Sequence, residues 1–421
     1  MQFNKGFNLI FLNLFICIYN TLLFPFEKRE IEINDLIEDL IYTNIYSNFL
    51  IGNPQQIIQL DIKLEYYNSF ISGSNINGHQ YNERKSNTYI NTSEKFEDSS
   101  RENLEEGYIF EETFIFNDYN NKKIEIKNFP FALTTKIFDK KEINILGLNI
   151  YDSKISNIPN FLISLRQYKI IDERIFYFKI DNNNINSGKL IIGNYPHDIE
   201  PKKCNKNNLL NIKPKFDVID YNWDIDFYYF KSGNKTIPAP YNVKLRIELG
   251  VIISNSIYLH FIQDNFFNKL NQKKKCDYLS LKNKKYNYFV CDNDIDLKTF
   301  PELQFYDREN NFTFILNSDD LFYKYKKKIY FLVVFKEKDM NYWIFGRPFF
   351  KKYTLIFNVE RRLVSYYSKY GNNTFKSNFW INVILVLLVI IILILVIYLI
   401  YYLKNRPKKL FAKELIEDLN N

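Results

Sequence analysis

Acidic side chains that could act together as a general acid and a general base occur in two stretches of the sequence. The stretch from Ile51 to Ile71 carries Asp61 and Glu65, and the stretch from Leu245 to Tyr258 carries Glu248. Two neighbouring carboxylates share one proton, so that one activates a water molecule while the other donates to a carbonyl oxygen. A pairing of Glu248 with Asp61 or Glu65 would supply that chemistry, which hydrolyses amide bonds.

Lys63 lies between Asp61 and Glu65 in the first of these stretches. Side chains alternate along a strand, so all three residues would share one face if the stretch is extended. An ammonium group donates hydrogen bonds and accepts none, so Lys63 and Glu248 would form an ion pair and would not share a proton. We expect this ion pair, and the alternative is a rebuilt carboxylate pair of Glu248 with Asp61 or Glu65.

The first stretch reads IGNPQQIIQLDIKLEYYNSFI, a turn of Gly, Asn and Pro followed by apolar and β-branched residues. It resembles, without a gap, the first active-site strand of the pepsin-like aspartic proteases, which is of the type IGTPPQxxxVxFDTGSSNLWV. The resemblance places Lys63 at the first catalytic aspartate of that family. Leu64 and Glu65 then stand at the threonine and glycine that follow it.

The second stretch, LRIELGVIISNSIY, resembles the second Asp-Thr-Gly-Thr-Ser motif of the same family. Aligning Gly250 with the glycine of that motif places Glu248 at the second catalytic aspartate and Leu249 at the threonine. Both catalytic motifs are therefore altered, and we expect no catalytic residues in this chain. The positions that match the family dyad are Lys63 and Glu248.

Further segments resemble segments of the family in the correct order, and the resemblance extends from about Ile41 to Tyr366. They are Ile143–Leu148, Ile158–Ile180, Ser187–Ile199, Asn222–Asp226, Phe300–Phe305 and Tyr342–Tyr366. The resemblance implies a mostly β, bilobal fold with lobes at residues 27–190 and 191–370. The family's flap would fall near Ser100, in a polar segment from Ser72 to Glu106 that reads as a long loop without the flap signature.

Apolar segments near both ends of the sequence predict a secretory route. Residues 1–26 have Lys5 followed by an apolar run, which is typical of a signal peptide, cleaved or kept as an anchor. Residues 380–403 are apolar over the roughly 20 residues that a membrane helix needs. The basic tail at residues 404–421 predicts a cytoplasmic C-terminus. We therefore expect a single-pass type I membrane protein of the ER, a vesicle or the cell surface, with most of the chain lumenal or extracellular.

Cysteine usage and glycosylation motifs agree with that route. Cys276 and Cys291 flank the place of the family's second-lobe disulfide, and closing a loop of about 15 residues stabilises a fold by about 3 kcal/mol. Cys204 is left over. Candidate N-glycosylation acceptors occur in four Asn-x-Ser/Thr motifs, at Asn91, Asn234, Asn311 and Asn372.

Composition excludes several other classes of function. The chain of 421 residues is long enough for two lobes with their own cores. Its net charge of +8 comes from basic residues mixed with acidic ones, which indicates a solvated surface and no nucleic-acid partner. His79, His197 and His260 lack metal-ligand spacing, and no phosphate-binding glycine loop is present. We expect no metal and no cofactor.

Three hypotheses for the function follow. The first is a catalytically degenerate member of the pepsin family that binds polypeptide in or near the cleft between its lobes, because the scaffold segments persist while the catalytic motifs do not. The second is an active, atypical aspartic endopeptidase with a displaced carboxylate dyad. The third is a structural or adhesive ectodomain whose groove is filled.

Overall fold

The computed structural model describes residues 21–30, 33, 35–74, 76, 80–98, 105–137, 144–150, 158–215, 222–282, 285–336, 340, 342–368, 391, 393–398 and 400–402. Over these residues the chain is mostly β, as predicted, with two sheets of 13 and 11 strands. Both sheets belong to one compact unit, formed by the chain up to Pro201 and from Asn205 to Ser368. A second unit comprises Lys202–Cys204 and the residues after Ser368.

The first eleven strands of the chain all belong to the first sheet. They are β1 (Leu22–Lys28), β2 (Ile45–Ile51), β3 (Gln56–Lys63), β4 (Phe70–Ser72), β5 (Ile90–Asp98), β6 (Glu105–Asn117), β7 (Lys123–Ile137), β8 (Ile145–Gly147), β9 (Ile175–Ile180), β10 (Ser187–Ile192) and β11 (Leu209–Ile212). The second sheet holds β12 (Ile225–Ser232), β13 (Lys235–Leu245), β14 (Ile252–Ser254), β15 (Cys276–Ser280), β16 (Tyr286–Asp292), β17 (Leu303–Asp307), β18 (Phe312–Leu316), β19 (Phe322–Tyr325), β20 (Lys328–Phe331), β21 (Val333–Lys336) and β22 (Tyr342–Phe345). The last strands, β23 (Ile356–Asn358) and β24 (Leu363–Tyr367), return to the first sheet.

The helices are short. They are α1 (Leu36–Tyr42), α2 (Phe161–Gln167), α3 (Pro196–Ile199), α4 (Ser256–Ile262), α5 (Asn268–Gln272), α6 (Ser318–Leu321) and α7 (Arg347–Lys352). A π-helical turn at Gln263–Phe267 joins α4 to α5. Helix α1, which the sequence did not predict, begins at the N-cap Asp35, whose carboxylate accepts hydrogen bonds from the backbone N–H groups of Ile37 and Glu38.

Each sheet contains the same four-strand arrangement. The order is β3-β8-β4-β7 in the first sheet and β13-β22-β14-β21 in the second. In both, the two outer pairs are parallel and the central pair is antiparallel. The chain therefore repeats one local topology, once in each sheet, and the two sheets with their helices are called the first and second lobe below. The predicted boundary between the lobes at residue 190 falls within β10.

Aromatic side chains fill the largest hydrophobic cluster, which extends through both lobes. In the first lobe the rings of Phe114 and Phe129 lie 5.0 Å apart, and in the second lobe Trp343 lies 5.0 Å from Phe305. Burying a side chain of this size contributes roughly 1.5–3 kcal/mol. Many of the 39 Phe and 33 Tyr of the sequence thus contribute to the core.

The structure differs from the sequence-based prediction in two segments, the predicted signal segment and the predicted long loop. Residues 22–26, which were assigned to the signal segment, form most of strand β1 and pair with β10 and β2; residues 1–20 lie outside the described part of the chain. The segment 72–106 is not simply a loop, because it contains β5. Ile90 to Lys95 are all exposed. The strand therefore lacks the alternation of apolar and polar residues by which half-buried strands are recognised in a sequence.

The disulfide prediction is confirmed, since Cys276 and Cys291 are bonded across the β15–β16 hairpin. Cys204 is buried. At the C-terminus, residues 393–398 are helical with exposed side chains. Among the helices in the described parts of the chain, none has the length and hydropathy to cross a membrane. Most of the predicted span at residues 380–403, and the tail at 404–421, lie outside the described residues.

Candidate functional site

A cavity of about 900 Å³ lies where strands β3 and β13 end, between the two lobes. Its lining combines charged and apolar side chains, namely Arg29, Ile41, Tyr42, Asn44, Asp61, Lys63, Glu65, Gln80, Asn144, Arg246, Glu248, Leu249, Ile253, Lys285, Tyr286 and Ile344. The predicted residues Lys63 and Glu248 and both alternative acids, Asp61 and Glu65, are therefore brought together.

In the first lobe, Lys63 ends strand β3 opposite Gly147 of β8. The turn that follows Lys63 wraps closely over this glycine. A Cβ atom on Gly147 would lie 2.2 Å from the backbone oxygen of Asn68 and 2.6 Å from that of Tyr66. The backbone N–H of Leu148 donates to the oxygen of Lys63 at 2.9 Å. A side chain at position 147 would thus displace the turn that positions Lys63.

The second lobe repeats this contact around Gly346. A Cβ atom there would lie 2.3 Å from the backbone oxygen of Leu249 and 2.2 Å from that of Val251. Leu249 is the counterpart of Tyr66 and Val251 is the counterpart of Asn68. Both pairs are 183 residues apart in the sequence, so the two turns correspond without a gap.

This correspondence corrects the position assigned to the second catalytic aspartate. The counterpart of Lys63 is Arg246, and the counterpart of Glu65 is Glu248. The alignment that placed Glu248 on the aspartate is two residues out of register, because it was anchored on Gly250. Gly250 is needed for a different reason, because it lets the turn pack closely against helix α1. A Cβ atom on Gly250 would lie 2.5 Å from Cδ2 of Leu40.

By the resemblance and this correspondence, the family's two aspartate positions would carry the basic side chains of Lys63 and Arg246. Glu65 and Glu248 follow two residues after them, where the family has glycine. The floor of the cleft carries a compact group of opposite charges.

On the side of the first lobe, Asp61 is held by two partners that sequence reasoning missed. Its Oδ1 atom accepts from Nη2 of Arg29 at 2.5 Å, and its Oδ2 atom accepts from Nδ2 of Asn44 at 2.8 Å. The Oδ1 atom of Asn44 accepts from Nζ of Lys63 at 2.9 Å. Both carboxylate oxygens of Asp61 therefore accept hydrogen bonds from neighbouring side chains, which indicates a structural role. No sequence motif marks Arg29 or Asn44, which reach Asp61 through the pairing of β1, β2 and β3.

Arg246 connects the two lobes. Its Nη2 atom lies 3.2 Å from Oε2 of Glu65, and its Nε atom lies 3.9 Å from Oε1 of Glu248. Burial raises the pKa of the Glu248 carboxyl above its ordinary value, and the charge of Glu65 raises it further, while Lys63 and Arg246 act in the opposite direction. The Oε2 atom of Glu248 is buried and has no hydrogen-bond partner among the described residues.

Arg347 supports the second turn from beneath. Its side chain is fully buried, and its Nη1 atom donates to the backbone oxygen of Glu248 at 2.7 Å. Its Nη2 atom donates to Oδ1 of Asn186 at 3.1 Å. Burial lowers the pKa of this guanidinium to about 10, against the opposing charges of Glu248 and Asp39, so it stays protonated at neutral pH. This residue also carries no signal in the sequence.

The charged side chains on the floor of the cleft form ion pairs. A pair of carboxylates that transfers a proton would instead need to share that proton. The guanidinium of Arg246 lies between two carboxylates and provides a permanent positive charge. Guanidinium does not give up a proton under ordinary conditions, and an ammonium group cannot accept one. These groups are suited to holding the lobes together and to contacting a polar ligand.

The remaining predicted residues lie away from this cavity. Asn91, Asn234 and Asn311 are exposed, whereas Asn372 and His79 lie outside the described residues. The ring of His197 contacts the hydroxyl of Tyr367 at 2.7 Å, which is a structural contact. Within the described ranges, no group of His, Cys, Asp and Glu side chains is arranged to hold a metal ion.

The chain matches a known protein-family model. The model described as eukaryotic aspartyl protease matches residues 64–368. That match covers both duplicated turns except the position of Lys63, which immediately precedes it. A comparison with curated proteins gives no significant match.

Proposed function

The chain belongs to the eukaryotic aspartyl protease family, and we propose that it binds polypeptide in the cleft between its lobes without hydrolysing it. The observation that carries this proposal is the pair of basic side chains, Lys63 and Arg246, at the two aspartate positions. A shared proton and an acceptor for the proton of the attacking water are both required for hydrolysis. Neither basic side chain supplies them.

The form of the cleft supports binding over a purely structural role. A cavity of about 900 Å³ is open between the lobes, and this volume lies in the range of ligand-binding clefts. A structural or adhesive ectodomain was expected to fill this groove. Apolar residues such as Ile41, Leu249 and Ile344 line it beside the charged groups, which suits the mixed surface of a polypeptide.

We further propose that this protein is held at a membrane in the secretory pathway by residues 380–403, with the lobes lumenal or extracellular. The apolar length of that segment and the basic residues after it support this proposal. The Cys276–Cys291 disulfide agrees with an oxidising compartment. If residues 1–26 include a cleaved leader, the pairing of β1 requires the cleavage to precede Leu22.

Photo-cross-linking with a library of peptides tests the binding function. Ile344 lines the cavity, so the variant Ile344→Trp should fill it and abolish cross-linking. Ile57→Trp is the matched control, because Ile57 is 63% exposed and lies outside the cavity lining. We expect cross-links that map to the cleft in the wild type and in Ile57→Trp. If the wild-type protein cross-links no more strongly than Ile344→Trp, the proposal is contradicted.

A second candidate is an active endopeptidase with a displaced dyad of Glu65 and Glu248. The observation in its favour is that these two carboxylates occupy equivalent positions in the two lobes and that Glu65 raises the pKa of Glu248. It would require Arg246 to leave its place between them. Cleavage that is blocked by a statine inhibitor and lost in both Glu65→Gln and Glu248→Gln would establish this candidate.

A further inference from the structure

We propose that the bound polypeptide places a basic side chain, lysine or arginine, against Glu248 at the floor of the cleft. This inference rests on the proposed function for the existence of a polypeptide ligand. It adds the chemical class of side chain that the cleft recognises and the residue that recognises it.

The geometry of Glu248 carries the inference. The residue lines the cavity although only 6% of its surface is exposed. Its Oε2 atom has no hydrogen-bond partner in the described structure, and its Oε1 atom is 3.9 Å from Arg246, beyond hydrogen-bond distance. A backbone hydrogen bond reaches the carboxylate, but its Oε2 atom is buried without one, which is unfavourable. A ligand group that donates to Oε2 would remove that cost.

The charges that face Glu248 favour a cationic donor over a neutral one. They belong to Lys63, Glu65 and Arg246 around the carboxylate and to Arg347 beneath the backbone. Each of these cations also serves another acceptor: Lys63 donates to Asn44, Arg246 contacts Glu65, and Arg347 donates to Asn186. Their combined effect does not offset burial and Glu65, as the raised pKa of Glu248 shows.

The same charges predict discrimination against other side chains. An acidic side chain at the same place would lie against the carboxylates of Glu65 and Glu248, and an ionised one could not donate a hydrogen bond to Oε2 of Glu248. A neutral apolar side chain of the same length would leave Oε2 of Glu248 without a donor. Because a hydrogen bond to a charged group contributes more than a neutral one, we expect a basic side chain to bind about tenfold to a hundredfold more tightly than its neutral analogue.

Titration calorimetry with four blocked peptides tests this inference on the purified full-length protein. The peptides carry an acetylated N-terminus and an amidated C-terminus and differ only at the central residue, which is lysine, arginine, norleucine or glutamate. At pH 7.5 we expect lysine and arginine to be preferred over norleucine by about tenfold or more. In Glu248→Gln the preference should fall below about twofold. In the control Glu125→Gln, at an exposed site outside the cavity lining, it should persist.

The outcomes separate this inference from the proposed function. Peptides that bind equally well with any central residue, or a basic preference that survives in Glu248→Gln, would overturn the inference and leave polypeptide binding intact. A preference for glutamate would also overturn it. No binding of any peptide would remove the proposed function as well.

A pH series on the wild-type protein gives a readout that does not depend on a variant. The basic preference should decrease between pH 7.5 and pH 4 as Glu248 gains a proton, and the same decrease should appear in Glu65→Gln. A basic preference that stays constant over this range would overturn the inference.

Discussion

Replacing Arg246 by methionine should destabilise the protein at neutral pH and much less in acid. Methionine keeps an apolar stem in place of the arginine methylene groups, so the change mainly removes the charge. Arg246 contacts Glu248 within the buried part of the cleft floor and Glu65 at its more exposed edge. Without it, two carboxylates lose a neighbouring cation.

The magnitude follows from the exposure of the three side chains. Those of Arg246 and Glu248 are 12% and 8% exposed, and removing one partner of a buried pair costs roughly 3–5 kcal/mol. The Arg246–Glu248 contact is long, at 3.9 Å, so the lower end applies. Glu65 is 35% exposed, and screening by water limits its share to about 1 kcal/mol or less. We expect a total loss of about 3 kcal/mol.

The loss should depend on pH with a definite sign. In Arg246→Met the folded-state pKa of Glu248 rises further, because a cation that lowers it is gone. The ionised Glu248 carboxylate then destabilises the folded state above that raised pKa, and the effect disappears below the ordinary pKa of glutamate. The difference from wild type should therefore shrink to under about 1 kcal/mol near pH 4.

Urea unfolding at pH 7.5 and pH 4 measures this difference. Arg166→Met is the matched control, since Arg166 is 49% exposed and paired with Glu360 on the surface. Its loss should stay within about 1 kcal/mol at both pH values. If Arg246→Met is as mild as Arg166→Met at pH 7.5, or equally severe at both pH values, the cleft-floor charges are not coupled as described.

Three further predictions concern the turn, the disulfide and the buried carboxylate. Gly147→Ala should lose at least about 3 kcal/mol in urea unfolding, because its Cβ would meet backbone oxygen. Gly73→Ala, which meets only a leucine side chain, should lose under about 1 kcal/mol; similar losses would contradict the turn geometry. Replacing Cys276 and Cys291 together by alanine should lose about 3 kcal/mol, and no change in the unfolding midpoint would refute this. Glu248→Gln should be more stable than wild type at pH 7.5, because burial and Glu65 raise the pKa of Glu248. This gain should vanish below about pH 4.5, and a Gln variant less stable at pH 7.5 would contradict it.

The scaffold was predictable because its signals are local. The glycine in Ile-Leu-Gly-Leu marks the place where the turn after Lys63 passes over β8, and the structure shows the close contact at Gly147. Cys276 and Cys291 lie on adjacent strands, as their resemblance to the family's disulfide implied. Each of these features depends on a few residues in one short segment.

The composition of the cleft floor was only partly predictable, because it depends on contacts between distant segments. The sequence predicted Lys63 at the first position and, through the retained Gly250, Glu248 at the second, whereas the correspondence of the two turns makes Arg246 the counterpart of Lys63. Only the packing of Gly250 against Leu40 shows why that glycine is present. Arg29 reaches the floor through strand pairing alone, and nothing in its local sequence distinguishes it from a surface arginine.

Peptide-library cleavage by the purified wild-type protein from pH 4 to 7.5, with and without a statine inhibitor, tests most directly whether the cleft binds polypeptide without hydrolysing it. We expect peptide binding without inhibitor-sensitive cleavage at any pH, because Lys63 and Arg246 stand where we propose that the carboxylate dyad would be. Inhibitor-sensitive cleavage that disappears in Glu248→Gln would contradict this expectation and show that the cleft floor has rebuilt a working dyad.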